Sequence, residues 1–363
     1  MNKKLLSSSA LAGAMLISGA ALAEFKVGGD ITATYITGSD ESGTLGTGGK
    51  SGGEVIGNEF NLLMSGSSAL SNGMTAKYSG KVEFDSGATT SGEPDHEYEL
   101  KLESANGFYI GFANDGGQSN RTQMTPFVSY PIGSVGHATG GASIAAGAGG
   151  FAGDAFTAAV HTSNNIAVGG KIGGGNFVAR YAPSTTGFNG NDVNTTSANG
   201  INADATGTGS GMMFAYNGSF SGLGLNLAYT TVQQDNESNN TTGDIKEQRI
   251  GLSYTFGGVK VGADHIQFED GTTAQTTDRD TTVVGLAYAV SKDVTVGVYH
   301  QTTSPELTAG GQQDEDMNMV TVGYNLGAGS IAISVIDVEG FRNATSATEA
   351  EHQGILIATK VGF

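Results

Sequence analysis

Apolar and polar side chains alternate along many short stretches of this chain. In HEYELKLES (96–104), three apolar side chains share one face and four charged side chains share the other. A period of two predicts a β-strand whose two faces meet different surroundings. The segment HQGILIATKVGF (352–363) follows the same pattern, with Ile355, Ile357 and Phe363 on one side. Segments of about ten residues with this alternation are typical of transmembrane β-barrel strands.

The alternation predicts sixteen strands. The first five lie in the segments AEFKVGGDITATY, EFNLLMSG, KYSGKVEF, HEYELKLES and FYIGFAN. The later eleven are predicted near residues 165–171, 176–182, 211–219, 225–232, 245–256, 259–268, 281–290, 294–301, 317–324, 330–338 and 351–363. A soluble β-sandwich would not need so many charges on its second face. We therefore predict an all-β fold, a 16-stranded antiparallel transmembrane barrel wide enough for a water-filled channel.

Short and long connections alternate between these strands. The short turns lie at residues 104–107, 173–175, 221–224, 257–258, 291–293 and 327–329, with long polar segments between them. Short turns at one end and long loops at the other are typical of outer-membrane barrels, and an even strand number places both termini on the short-turn side. We expect a single barrel domain over residues 24–363.

The first 23 residues have the pattern of a secretory signal peptide. Lys3 and Lys4 precede an apolar stretch that ends in the small-residue motif Ala21-Leu22-Ala23. We expect cleavage after Ala23. A retained membrane anchor is the alternative, although the apolar stretch is short for a span.

Composition narrows the possible functions. The chain has 59 glycines, 5 prolines, no cysteine and a formal charge of −18. This composition alone would also fit a disordered chain, so the periodicity is what predicts a fold. The acidic excess argues against nucleic acid as a partner. Six histidines without ligand spacing predict no metal or cofactor, and no catalytic Ser, His and acid arrangement can be proposed, so we expect no enzyme.

Several segments together resemble general porins of Gram-negative bacteria, of the kind found in alphaproteobacteria. They are AEFKVGGDITATY, SNNIAVGGKIGGGNFVARYAPS, YNGSFSGLGLNLAYTT and the terminal Phe363. The resemblance implies an outer-membrane channel for passive diffusion of small hydrophilic solutes and ions. It also implies contacts with lipid and lipopolysaccharide, and a terminal phenylalanine that closes the barrel and is read by the barrel assembly machinery.

The resemblance implies a homotrimer formed through early and late strands. Small outward residues such as Gly29, Ala33 and Gly80 would permit close packing of a neighbouring subunit. Glycines that simply ease the curvature of the barrel are the alternative.

About fifty residues, 115–164, separate the fifth and sixth predicted strands, which is far beyond an ordinary connection. In general porins the third loop folds into the barrel and narrows it, and the position of this segment matches. Its tract GGASIAAGAGGFAG would allow close packing against the wall. An external, mobile flap is the alternative.

Charged side chains of the predicted inner face and of this loop are candidate pore-lining residues. Those on the wall are Lys26, Lys77, Lys81, Glu83, Glu97, Glu99, Lys101 and Arg180, and those in the loop are Asp115, Arg121 and Asp154. Facing rows of opposite charge orient dipolar solutes and bias the passage of ions. The alternative is that these charged side chains pair with one another away from the narrowest point of the pore. The acidic total predicts a preference for cations.

Two other functions remain open. The long Asn-, Thr- and Ser-rich loops would also suit a surface-structural or adhesive barrel with a blocked lumen. A substrate-specific porin would show a row of inward aromatic or arginine side chains, and here few inward aromatics are predicted, among them Tyr109 and Tyr299.

Overall fold

The computed structural model describes residues 24–40, 54–85, 95–114, 164–183, 210–236, 241–270, 277–307, 314–341 and 350–363. The strands within these ranges are β1 (Glu24–Asp40), β2 (Glu54–Ala69), β3 (Thr75–Asp85), β4 (Asp95–Glu103), β5 (Tyr109–Asn114), β6 (Asn165–Ile172), β7 (Gly175–Ala182), β8 (Gly211–Phe220), β9 (Leu223–Asn236), β10 (Thr241–Phe256), β11 (Val259–Asp270), β12 (Thr277–Ala289), β13 (Val294–Leu307), β14 (Glu315–Asn325), β15 (Gly329–Phe341) and β16 (Ala350–Gly362). Across these ranges, no helix is long and apolar enough to cross a membrane.

The sixteen strands close into one antiparallel barrel. Each strand pairs with its neighbours in sequence, and β16 returns to β1 with Val361 opposite Ile31 and Ile357 opposite Tyr35. The predicted strand number, direction and order are therefore confirmed. A closed ladder leaves no unpaired sheet edge, which a bilayer requires because lipid chains offer no hydrogen bonds.

Successive side chains along each strand face two different surroundings. On β6, Asn165 and Ala167 are buried, whereas Ile166 and Val168 are exposed. The exposed faces of most strands are aliphatic or aromatic, while the buried faces include carboxylates, lysines, arginines and amides. The apolar faces therefore point out of the barrel and the charged faces point inward.

The short connections lie at one end of the barrel, as the sequence predicts. Gly173 and Gly174 form the two-residue turn between β6 and β7, with φ angles of 55° and 84°. Both values lie in the left-handed region that matches the twist of a tight hairpin. In the turn between β8 and β9, Ser221 adopts a φ of 50° beside Gly222, so this serine takes a conformation that usually favours glycine.

Several strands are longer than the alternation predicts. β2 begins at Glu54, five residues before the predicted segment, and β13 continues to Leu307 rather than ending near residue 301. The reason is that a strand ladder needs only backbone partners. The apolar pattern ends where the outward side chains become polar, but the hydrogen-bonded ladder continues past that point.

Candidate pore wall

Charged side chains of β3 and β4 meet on the inner face of the barrel. Lys81 Nζ lies 2.8 Å from Glu97 Oε1, and the two residues are directly opposite in the ladder. Lys77 Nζ lies 2.7 Å from Glu103 Oε1, on the diagonal. Cross-strand pairs of opposite charge stabilise a sheet, so the alternating charges that mark these strands in the sequence also hold them together.

Glu99 is the centre of a separate cluster on the same wall. Its carboxylate lies 2.7 Å from Lys101 Nζ and 3.0 Å from Arg180 Nη2. Arg180 Nη1 also donates a hydrogen bond of 2.7 Å to Asn165 Oδ1. The side chains of Arg180 and Glu99 are 0% and 2% exposed, so this is a buried ion pair with a fixed geometry.

Arg180 reaches Glu99 across two intervening strands. The cross-strand row from Lys101 to Arg180 runs through Gly111 on β5 and Ala167 on β6. Neither residue has a side chain long enough to fill the space. The small inward residues of β5 and β6 therefore allow a β7 guanidinium to bind a β4 carboxylate.

Tyr109 belongs to the same wall. Lys101 Nζ lies 4.6 Å from the centre of its ring, which is a cation–π contact. The hydroxyl end of the ring lies over Gly169, where an added Cβ would collide with it. Glycine at position 169 is therefore required by the packing of this tyrosine.

A cavity of about 290 Å³ lies against this wall, toward the short-turn end of the barrel. The charged side chains that line it are Glu24, Lys26, Lys77, Glu99 and Lys101. Lys26 Nζ lies 2.7 Å from Glu24 Oε1, and both side chains are largely exposed. A lining of ammonium and carboxylate groups suits water, small ions and polar solutes.

A second buried ion pair lies on β10 and β11. Arg249 Nε donates a 3.0 Å hydrogen bond to Asp264 Oδ2, and Arg249 Nη2 contacts the same oxygen. Glu247 lies two residues away on the same face and is also buried. The sequence-based candidates did not include these residues, although the alternation of charged and apolar residues in KEQRIGLSYTF could have revealed Glu247 and Arg249.

The junction between β16 and β1 is held on both faces. On the inner face, Asp30 accepts a 3.0 Å hydrogen bond from Asn61 Nδ2 and lies 3.1 Å from Lys360 Nζ. On the outer face, the Phe363 ring covers Gly29 and stacks on Phe60 with ring centres 6.0 Å apart. The backbones of Phe363 and Gly29 exchange hydrogen bonds of 2.9 and 3.1 Å. Phe363 therefore lies at the seam that closes the barrel.

Four of the predicted pore residues cannot be placed in this network. Asp115, Arg121 and Asp154 lie outside the described residues, as does the predicted third loop (115–164) apart from Asn164. Glu83 lies on β3, but its side chain is outside the described part of the structure. Of the others, Glu99, Lys101 and Arg180 lie in one cluster with Tyr109 and Asn165, whereas Lys81 pairs with Glu97, Lys77 with Glu103 and Lys26 with Glu24.

Acidic and basic groups nearly balance on the inner wall. Among the inward side chains that the structure describes, the basic ones are Lys26, Lys77, Lys81, Lys101, Lys171, Arg180, Arg249, Lys260 and Lys360. The acidic ones are Glu24, Asp30, Glu97, Glu99, Glu103, Glu247 and Asp264. The acidic excess of the whole chain therefore does not come from the inward side chains that the structure describes.

A sequence model described as Gram-negative porin matches residues 8–337. This match covers most of the 363 residues. The chain belongs to the Gram-negative porin family. It is an outer-membrane porin, and both its family and its fold point to a channel rather than to an enzyme. Among curated protein sequences, none matches this chain.

Solved structures of outer-membrane proteins share the fold at low sequence identity. An OmpF of Salmonella typhi in complex with daunomycin is 13% identical, with a TM-score of 0.64 over 93% of this chain and 97% of its own. A loop-deletion variant of OmpT, an outer membrane protein of Vibrio cholerae, is 12% identical, with a TM-score of 0.63 over 94% and 99%. A mutant of the Rh. blastica porin is 14% identical, with a TM-score of 0.56 over 94% and 100%.

Proposed function

We propose that this porin is an open, water-filled channel through which small hydrophilic solutes and ions diffuse passively. The observation that carries the proposal is the inner face of β3–β7, where lysine, arginine, carboxylate and amide groups replace the apolar side chains of the outer face. Charged groups are stable beside an aqueous lumen, and their mutual pairing fixes the shape of the wall. An apolar plug would leave such a wall without suitable partners.

Size and charge selectivity are the finer part of the proposal. By family resemblance, the third loop (115–164) folds inward and sets the size limit, facing the lumen charges of β3–β7. The near balance of charge on the described wall predicts weak ion selectivity from the wall itself. The cation preference expected from the total charge would then arise from other residues, among them Asp115 and Asp154.

The assembly of this porin also belongs to the proposal. We propose a homotrimer in contact with outer-membrane lipid and lipopolysaccharide. Phe363, at the seam of the barrel, would act as the signal for the barrel assembly machinery. Residues 1–23 would direct export and then be removed.

Single-channel recording in a planar bilayer with a salt gradient tests the proposed function. Conductance steps that arrive in threes, with a reversal potential that indicates a weak preference for cations, are the expected result. A folded barrel that gives no steps would refute an open channel and favour the surface-structural alternative. Swelling of liposomes loaded with sugars of graded size would separate a general channel, with a smooth size dependence, from one that favours a single sugar.

A further inference from the structure

Two lysines stand directly opposite each other on the inner face of the barrel. Lys77 on β3 and Lys101 on β4 are partners in the strand ladder, close to the short turn between β2 and β3. Side chains in such positions have Cβ atoms about 5 Å apart, and like charges there destabilise a sheet. Arrangements that oppose the stability of a fold are typical of functional sites.

The carboxylates around these lysines do not neutralise them fully. Glu103 lies 2.7 Å from Lys77 Nζ, and Glu99 lies 2.7 Å from Lys101 Nζ. Glu99 also binds Arg180, so its single negative charge faces two cations. Three cations and two carboxylates thus leave one positive charge in excess at this part of the wall.

The two lysines differ in how firmly they are held. Lys101 is 18% exposed and contacts both the Glu99 carboxylate and the Tyr109 ring, so its ammonium group has a fixed position. Lys77 is 45% exposed, and its pair with Glu103 is open to water. Exposed pairs are weak, so an anion from the lumen can take the place of the Glu103 carboxylate at Lys77.

Three serines form the floor of the cavity beside these lysines. Ser67 is directly opposite Lys77 in the ladder. Ser65 and Ser79 are opposite each other in the neighbouring inward row. All three line the cavity at the short-turn end of the barrel, together with Lys26 on β1. Each hydroxyl can donate one hydrogen bond to a solute and accept others.

The size of the cavity suits a small solute rather than a single ion. Its volume of about 290 Å³ is close to the lower end of the range for small-ligand sites, about 300–1,000 Å³. Lysine ammonium groups bind phosphate oxygens as point charges, and they pair with carboxylates in the same way. Serine hydroxyls bind these oxygens or the hydroxyl groups of a solute. The lining therefore combines donors for an oxyanion with partners for hydroxyl groups.

We propose that this cavity is a weak binding site for small oxyanions, namely solutes that carry a phosphate or carboxylate group beside hydroxyl groups. The oxyanion contacts Lys77 and Lys101, and Ser67 donates a hydrogen bond to it. The rest of the solute lies over Ser65 and Ser79. The proposal rests on the open lumen proposed above, although binding itself does not require conduction. A local oxyanion site is compatible with a weak cation preference of the channel, because that preference depends on charges along the whole path.

A titration with inorganic phosphate tests the site. The affinity is measured from the broadening of the phosphorus resonance when the refolded barrel in detergent is added at constant ionic strength. Lys77→Gln should weaken phosphate binding about tenfold, because a charge-assisted hydrogen bond is lost. Lys360→Gln is the matched control, because Lys360 is 46% exposed, pairs with one carboxylate and lies outside the cavity. Equal weakening in both variants, or no saturable binding to the unmodified barrel, would overturn the proposal.

Glu103→Gln tests the same site by an effect of opposite sign. Removing this carboxylate leaves Lys77 available to the solute, so phosphate should bind several-fold more tightly. Partial loss of folding cannot produce tighter binding, so the expected result does not depend on the stability of the variant. Unchanged or weaker binding by a folded barrel, as judged by heat-modifiable migration, would contradict the proposal.

Ser67→Ala separates a defined site from a diffuse attraction between charges. The variant keeps every charge of the wall and removes one hydroxyl donor. We expect phosphate binding to weaken by a few-fold. An unchanged affinity would reduce the site to a general charge effect and overturn the proposal.

Acetate, titrated in the same way through its proton resonance, distinguishes the two kinds of oxyanion. Saturable binding of phosphate alone would assign the site to solutes that carry phosphate. Binding of both probes would assign it to phosphate and carboxylate solutes alike. Binding of neither probe would overturn the proposal.

Single-channel conductance of the same protein keeps this proposal separate from the proposed function. Saturable phosphate binding without conductance steps would refute the open channel and leave the binding site. Conductance steps without saturable phosphate binding would refute the binding site and leave the channel.

Discussion

Removing the Glu99 carboxylate is the most informative single change on the inner wall. The substitution Glu99→Gln keeps the size of the side chain but removes the charge that faces both Arg180 and Lys101, at 3.0 and 2.7 Å. The Arg180 side chain has no exposed surface, so the change leaves a buried guanidinium without its carboxylate. Breaking a buried ion pair in this way costs about 3–5 kcal/mol.

Glu103→Gln is the matched control on the same strand. Its partner Lys77 is 45% exposed and Glu103 is 26% exposed, so water can replace the lost carboxylate. Exposed pairs contribute at most about 1 kcal/mol. Both variants change the wall charge by the same amount, but Glu99→Gln removes a carboxylate shared by Lys101 and the fully buried Arg180, whereas Glu103→Gln removes one exposed pair.

Urea-induced unfolding of the refolded barrel in lipid vesicles, followed by heat-modifiable migration on a gel, measures both changes. We expect Glu99→Gln to lower the free energy of unfolding by several kcal/mol, and Glu103→Gln to lower it by less than about 1 kcal/mol. The reversal potential should shift toward anions in both variants, by a similar amount. Equal losses of stability would refute the argument from burial, because exposure would then not determine the strength of these pairs.

Three further outcomes follow from the described contacts. Asp264→Asn should destabilise the barrel by about 3–5 kcal/mol in the same urea assay, because it removes the buried charge that two Arg249 nitrogens contact. The apolar pair Arg249→Met/Asp264→Leu should recover most of the loss, and a failure to recover it would show that the cost does not come from an uncompensated buried charge. Gly29→Val should slow barrel assembly, measured by the appearance of the heat-modifiable band, because its side chain collides with the Phe363 ring and with the Asn61 backbone oxygen. Gly297→Val is the control for glycine loss, because a Cβ at that position would make only an ordinary contact. Gly169→Val should displace Tyr109 and alter single-channel conductance, and an unchanged conductance would exclude Tyr109 from the conducting path.

The fold could be predicted from the sequence because one simple pattern specifies it. Each strand carries an apolar outer face and a polar inner face, and tight turns such as Gly173-Gly174 mark one end of the barrel. These signals are local, so they identify strand number, direction and order without any contact information. The strand ends were less predictable, as β2 and β13 illustrate. The backbone hydrogen bonds between strands continue beyond the point where the outward side chains become polar.

The pore wall could be predicted only in part. The alternation of apolar and charged residues predicted that Glu97, Glu99 and Lys101 lie on the inner face. It could not identify the partner of each charged side chain. The Glu99–Arg180 contact joins residues 81 positions apart, and it depends on the small side chains of β5 and β6 between them. Such a contact becomes visible only when the register of four strands is known.

Glu99 and Arg180 link the stability of the barrel to the properties of the channel. A buried guanidinium that depends on one carboxylate cannot lose it without a large cost in stability, whereas an exposed pair such as Lys77 and Glu103 can change at little cost. The charge of the wall should therefore be adjustable through exposed lysines and glutamates, while the buried pairs stay in place. Variants that alter ion selectivity without loss of folding are accordingly expected at Lys26, Lys77 and Glu103 rather than at Glu99, Arg180, Arg249 or Asp264.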